Sequence, residues 1–179
     1  MEQNVDDKDF QPMLMNTLKL EGGYNAQENS NFGVKQDVYD AFAKANKLPS
    51  KSVKELNFGE VSNFYKKDYY DKVKDLPTKE LKGLVFDYAV NAGAGTAISA
   101  LQEVVGSKVD GIMGGKTKQA VDKYIAKNGE DTLHAQLIQK RVDHYASLIQ
   151  QDPMKYGQYE KGWLNRMNSL MQMYKSNSM

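Results

Sequence analysis

Glu21 stands at the end of an apolar helical stripe and is followed at once by Gly22-Gly23-Tyr24. Phe10, Leu14, Thr17, Leu18 and Glu21 share helical spacing, so this carboxyl falls on or beside the face that packs inward, where two glycines stop the helix. Burial disfavours the ionised form, and the negative end of a helix dipole disfavours it further, so both effects raise the pKa expected for Glu21. A carboxylic acid that keeps its proton near neutral pH is what glycoside hydrolysis needs as a general acid. A solvated carboxylate before a glycine cap looks the same in isolation, so the neighbours must decide.

Tyr24, Asn31 and Phe32 lie within one loop of Glu21 and combine aromatic surface with hydrogen-bonding groups, which suits a sugar ring carrying acyl-amino substituents. Asn31 can equally hold a turn, and Phe32 is expected to plug the core under Gly33-Val34. Asp87, Tyr88 and Asn91 fall within about one helical turn and could line the wall of a groove, with Asn91 reaching substrate. So apolar a helix demands partners for its polar groups, and a hydrogen bond tying helices together is as good an expectation for Asp87. The Asp110-Gly111 and Gly114-Gly115 pairs read as tight turns ahead of a helix. Trp163 is expected in the core with Leu164, Met167 and Leu170.

Helical periodicity dominates the elements that position these groups, and no run of alternating apolar residues suggests a sheet, so the fold class is mainly α with little or no β. Asp9 is expected to cap a first helix with Pro12 in its opening turn, ending at Gly22-Gly23. A second helix from Lys35 to Asn46 would turn Val34, Val38, Phe42 and Ala45 inward. Asn57-Phe58-Gly59-Glu60 reads as a capping box for a third, with Val61, Phe64, Tyr65 and Tyr69 on one side. Pro77-Thr78 opens a strongly apolar helix stopped by Gly93, and Ala94 opens another ending at Gly106. Further helices are expected near Lys116 to Lys127, Thr132 to Ile149 and Trp163 to Tyr174.

The chain of 179 residues has no cysteine, which excludes disulfides, thiolate nucleophiles and cysteine-based zinc sites together. His134 and His144, ten residues apart on one helix, are ordinary surface or partly buried histidines, and neither a metal nor a cofactor is expected. A net charge of +1 from 24 basic and 23 acidic residues argues against nucleic-acid binding and for a neutral, sugar-like ligand. The segment Met1-Glu2-Gln3-Asn4-Val5-Asp6-Asp7-Lys8-Asp9 is acidic and lacks the apolar run of a secretory signal or membrane anchor. The expectation is a monomer that is not membrane-embedded, is made in the cytoplasm and reaches a wall substrate only after release, through a holin, a secretion machine or lysis.

Thr17-Leu18-Lys19-Leu20 leading into Glu21-Gly22-Gly23-Tyr24, then Asn31-Phe32-Gly33-Val34, resembles glycoside hydrolase family 108, the phage and bacterial lysozyme-like muramidases. Lys67-Asp68-Tyr69-Tyr70-Asp71 and Phe86-Asp87-Tyr88-Ala89-Val90-Asn91-Ala92-Gly93 agree with it. Val109-Asp110-Gly111-Ile112-Met113-Gly114-Gly115-Lys116-Thr117 and Lys161-Gly162-Trp163-Leu164-Asn165-Arg166 look like the predicted peptidoglycan-binding region that comes after such a segment. The resemblance implies a lysozyme-like helical fold with an active-site groove, a catalytic segment over residues 8–92 and a peptidoglycan-binding region over 93–175, sharing one compact body. It also implies an N-acetylmuramidase that cuts the β-1,4 bond between N-acetylmuramic acid and N-acetylglucosamine, with peptidoglycan glycan strands as its partner.

Family members place an aspartate, then a threonine or serine, between the glutamate and the Asn-aromatic-Gly run. In this chain that interval is several residues shorter, and Glu28 and Ser30 are what remain. Ser30 directly precedes Asn31 as the family hydroxyl does, so the resemblance gives it the water-positioning role, with Glu28 as the other candidate. A lytic transglycosylase acting on the same bond with one glutamate is the nearest alternative. A wall-binding or structural protein of a phage or secretion apparatus, without turnover, is the alternative from another class.

Overall fold

The computed structural model describes the backbone of residues 5–21 and 24–175, and the side chains of residues 8–19 and 24–170. The chain forms two compact units, one running through Asp75 and one beginning at Leu76. Both are built mainly of α-helices.

In the first unit, α1 spans Val5–Glu21, α2 Gln36–Ala45 and α3 Phe58–Asp68, with short 3-10 turns at Val53–Glu55 and Tyr70–Lys72. The stripe read from the sequence is buried: Phe10, Leu14, Thr17 and Leu18 all face the core, where the Phe10 and Tyr70 rings sit 5.0 Å apart. Phe64 meets Phe42 edge-on at 5.1 Å and joins α3 to α2. Asn57 makes the expected capping box, accepting from the Glu60 N–H while its own N–H donates to the Glu60 carboxylate at 2.9 Å.

Two expectations need correction here. α1 begins at Val5, so Asp9 lies inside the helix and not at its cap, and Pro12 is an interior residue. Pro12 is exposed, and the carbonyl it leaves without a helical donor can take water, which makes the proline tolerable. In α2 the buried residues are Tyr39, Phe42 and Ala43, whereas Val38 and Ala45 are exposed. Val34 is buried but belongs to a strand, so a helical phase counted from it runs one residue out of step.

In the second unit, α4 is Lys79–Ala92, α5 Ala94–Val105, α6 Gly115–Asn128, α7 Glu130–Gln151, α8 Pro153–Tyr156 and α9 Glu160–Lys175. Thr78 caps α4 by accepting from the Leu81 N–H, and Gly93, at φ +91°, both ends α4 and starts α5. Asp152 caps the short α8 by accepting from the Lys155 N–H at 3.0 Å. In α9 Met167 and Leu170 are buried as expected, but Trp163 is only half-buried and Leu164 is 50% exposed. Trp163, Arg166, Met167 and Leu170 make one stripe, and the inward place beside Met167 goes to Arg166, leaving Leu164 about 100° around the helix.

The glycine-rich loop between α5 and α6 is organised by a residue whose role is not evident from pattern. Gln102 is fully buried; its Nε2 donates to Asp110 Oδ1, the Ile112 carbonyl and Thr117 Oγ1, and its Oε1 accepts from the Asp110 and Gly111 N–H groups. Gly111 adopts φ +70°, and a Cβ there would lie 3.2 Å from the Gly95 carbonyl oxygen, so a side chain would be strained in conformation and crowded against backbone. This supports the architectural reading of the loop. Gln102→Leu should leave those loop N–H groups orphaned and cost about 2–3 kcal/mol in urea unfolding; a loss under about 0.5 kcal/mol would mean that the loop holds itself.

Candidate functional site

α1 brings the chain to Glu21, one turn beyond the buried Thr17 and Leu18. The Glu21 side chain, like Gly22 and Gly23, lies outside the described residues. Beyond them the chain builds a small antiparallel hairpin: β1 is Ser30–Asn31 and β2 Val34–Lys35, with Asn31 opposite Val34 and Ser30 opposite Lys35. A further bridge pairs Asn25 with Ser30, the Asn25 N–H donating to the Ser30 carbonyl at 2.7 Å and the Ser30 N–H donating back at 3.1 Å. Asn25 Oδ1 also accepts from the N–H groups of Gln27 and Glu28, closing an Asx turn through 25–28.

The hairpin turn is Phe32-Gly33, with φ +50° and +76°. Two successive positive φ values match the right-handed twist of a two-residue hairpin, but a phenylalanine in that region is strained by about 1 kcal/mol. Tyr65 holds the turn, its hydroxyl donating to the Phe32 carbonyl at 2.7 Å. Asn31 Nδ2 donates to the Val53 carbonyl at 2.9 Å, while Gln36 Oε1 accepts from the Val53 N–H at the same distance. The hairpin is therefore clamped on both sides of Val53.

Of the residues named from the sequence, Ser30 and Asn31 come together on one strand and are both about 95% buried, at 5% and 6% exposure. One N–H of the Asn31 amide is used on Val53, so what it could offer a ligand is its oxygen and its second N–H. Glu28 is exposed in the turn. Tyr24 is 44% exposed, and the Lys54 ammonium lies 5.6 Å from its ring centroid. Phe32 is half-buried. Periodicity did not find the hairpin, because two-residue strands carry no alternation; the Asn-aromatic-Gly run was its only trace.

Asp87, Tyr88 and Asn91 belong to α4 in the second unit. Asp87 is buried between both arginines of the chain: Arg141 Nη1 donates to Oδ2 at 2.7 Å, and Arg166 donates to Oδ1 through Nη2 at 2.9 Å and through Nε at 3.1 Å. Arg141 Nε donates to the Tyr145 hydroxyl at 2.7 Å, and that hydroxyl donates to Asn91 Oδ1. The Arg141 guanidinium also covers the Tyr88 ring at 5.0 Å, and Tyr145 stacks on Trp163 at 4.3 Å with 11° between planes. A half-open apolar cavity of about 310 Å³ lies against this stack, between α7 and α9.

Asp87 thus ties α4, α7 and α9 together. Arg141 and Arg166 were not singled out from the sequence, although a signal existed: they are the chain's only arginines, each followed by an apolar residue within a helical stretch, in a sequence that otherwise uses lysine. Among the described residues there is no cluster of His, Cys, Asp or Glu fit to hold a metal, and no helix is long and apolar enough to cross a membrane.

The hairpin residues and Asp87, Tyr88 and Asn91 fall in one family segment, and the partners Arg141, Tyr145, Trp163 and Arg166 fall in a second. Residues 14–93 match the Glycosyl hydrolase 108 family. Residues 96–168 match the family described as "Predicted Peptidoglycan domain". The solved structure of Brucella abortus SagA is similar to this chain, with 26% sequence identity and a TM-score of 0.76 over 95% of each chain. A comparison with curated proteins gives no match. The two family segments support a glycoside hydrolase that acts on peptidoglycan. Glu21, Glu28, Ser30, Asn31 and Asn91 all lie within the hydrolase segment.

Burial pushes the Asp87 carboxyl upward, but the two guanidiniums outweigh it, and its folded pKa lies below the ordinary 3.8. The folded protein then holds fewer protons than the unfolded chain, so this stabilisation is complete above about pH 3.8 and is lost as pH falls through the folded value. Burial also depresses His134 and His144 below 6.5, and their share is lost earlier on acidification, from about pH 6.5 downward. Asp87→Asn should cost about 3–5 kcal/mol at pH 7 by leaving two buried guanidiniums without a counter-charge. It should also flatten the stability curve below pH 4, whereas an undiminished acid loss in that variant would place the sensitive carboxylate elsewhere.

Proposed function

We propose that this protein is an N-acetylmuramidase that acts in the cell wall, hydrolysing the β-1,4 bond between N-acetylmuramic acid and N-acetylglucosamine, with Glu21 protonating the leaving oxygen. The observation that carries the reading is the succession of a glycoside hydrolase segment over 14–93 and a peptidoglycan segment over 96–168 in one chain. Support for Glu21 is positional. It ends α1 on the helical phase of Phe10, Leu14 and Thr17, and a clamped hairpin bearing Ser30 and Asn31 comes within ten residues.

Hydrolysis also needs a group to hold or activate water on the other side of the sugar ring. Ser30 takes that role in this proposal. A hydroxyl enclosed on a paired strand can keep one water in a fixed place, whereas Glu28 sits in an exposed turn where its carboxylate is solvated. Asn31 and Tyr24 are assigned to the sugar as acceptor and stacking face.

Release of dye-labelled fragments from purified peptidoglycan tests the assignment. Glu21→Gln keeps the shape but has no proton to transfer, and should lower the rate by at least the ~10²-fold typical of general acid catalysis, with an unchanged melting temperature. Near-normal release by the folded variant would remove Glu21 from the mechanism. Ser30→Ala should slow release more than Glu28→Ala does. The reverse order would make Glu28 the second catalytic carboxylate.

A further inference from the structure

Asn91 ends a polar chain that runs out of the buried core of the second unit. Arg141 can only donate, and it donates Nε–H to the Tyr145 hydroxyl oxygen. Tyr145 is buried, and its single proton goes to Asn91 Oδ1, its acceptor in the structure. That sequence of donors removes the usual ambiguity of an amide: the Asn91 oxygen is turned inward and occupied, and the NH2 is left facing outward. Asn91 is itself exposed, and its NH2 donates to no group among the described residues. Behind it, Asp87 holds Arg141 and is itself held by Arg166, and the stack of Tyr145 on Trp163 holds the phenol ring. So much fixed structure beneath one exposed amide is more than a surface asparagine needs.

We propose that Asn91 reads the carbonyl oxygen of a glycan N-acetyl group through its NH2, and that Tyr145 and Arg141 are positioning residues that set this donor outward. The inference rests on the glycan reading above and deepens it: the outward group is a donor only, so it selects an acceptor, and the acetamido carbonyl is the strong neutral acceptor that distinguishes wall sugars from plain hexoses. An ammonium at the same carbon presents no acceptor.

The test measures binding of N-acetylglucosamine oligomers, and of fully de-N-acetylated glucosamine oligomers, to the full-length Glu21→Gln protein by titration calorimetry. That protein should prefer the acetylated oligomer. Asn91→Asp keeps the acceptor for Tyr145 but replaces the outward donor by a carboxylate; it should lose about tenfold on the acetylated oligomer and gain on the cationic one, so the preference inverts. Tyr145→Phe keeps the ring stack but frees the amide to flip, and should narrow the preference about threefold. If Asn91 serves only to satisfy Tyr145, Asn91→Asp will bind both oligomers as its parent does, which overturns the proposal. Absence of any binding to the acetylated oligomer overturns it too. Failure of the muramidase reading is separate: it would appear as no cleavage of peptidoglycan by the unmodified protein, whatever the oligomers do.

Discussion

One carboxylate shared by two guanidiniums governs the second unit. Asp87 lies on α4, Arg141 on α7 and Arg166 on α9, so three helices distant in sequence are held by a single charge cluster with almost no access to water. Desolvating three charges is expensive, and the cluster offsets that cost only because nearly every direction of Asp87 is matched by a guanidinium N–H. The cluster carries one excess positive charge, spread over the faces of Tyr88 and Tyr145. What it secures is register: the arrangement of α4, α7 and α9 that pairs Asp87 with both guanidiniums also fixes the Tyr145 ring, its stack on Trp163 and the amide of Asn91, although Arg141 Nη2 is buried without a partner.

The first unit relies on a different device. Its candidate residues sit on a short hairpin, whose strain at Phe32 is countered by Tyr65 and whose flank is tied to Val53 by Asn31 and Gln36. These polar side chains and two strands make a rigid platform out of a segment too short to form a sheet. The platform begins at Ser30, in the same stretch of chain that follows the end of α1 at Glu21. Strained backbone beside candidate catalytic groups fits the general pattern in which active sites store strain that the surrounding fold over-determines.

Much of this was legible in the residues. The apolar stripe of α1, the capping box at Asn57, the glycine stops at Gly93 and Gly106, and the interior place of Met167 and Leu170 come from helical spacing and cap chemistry, which are local rules. The errors have local causes as well. Val38 and Ala45 were given the wrong face because the count began in a strand, and Leu164 because an arginine took the inward place. The partners of Asp87 were illegible for another reason: 54 and 79 residues separate it from Arg141 and Arg166, and no periodicity reports a contact at that range. Gln102 was hidden likewise, since its five hydrogen bonds reach a loop whose path only the folded chain defines. The candidate site came chiefly from family resemblance, and the structure adds how Ser30, Asn31 and Asn91 are held.

In the proposed mechanism Glu21 is the single proton donor and Ser30 holds the water that makes it a hydrolase; without the water, attack by the sugar's own hydroxyl would make a transglycosylase with the same acid. The products separate the two. Mass spectrometry of the soluble fragments from purified peptidoglycan digested by the unmodified protein reads this directly. Hydrolysis predicts fragments ending in a reducing N-acetylmuramic acid, heavier by one water than their anhydro counterparts. Fragments ending in 1,6-anhydro-N-acetylmuramic acid would contradict the hydrolytic account, and an undigested wall would contradict catalysis altogether.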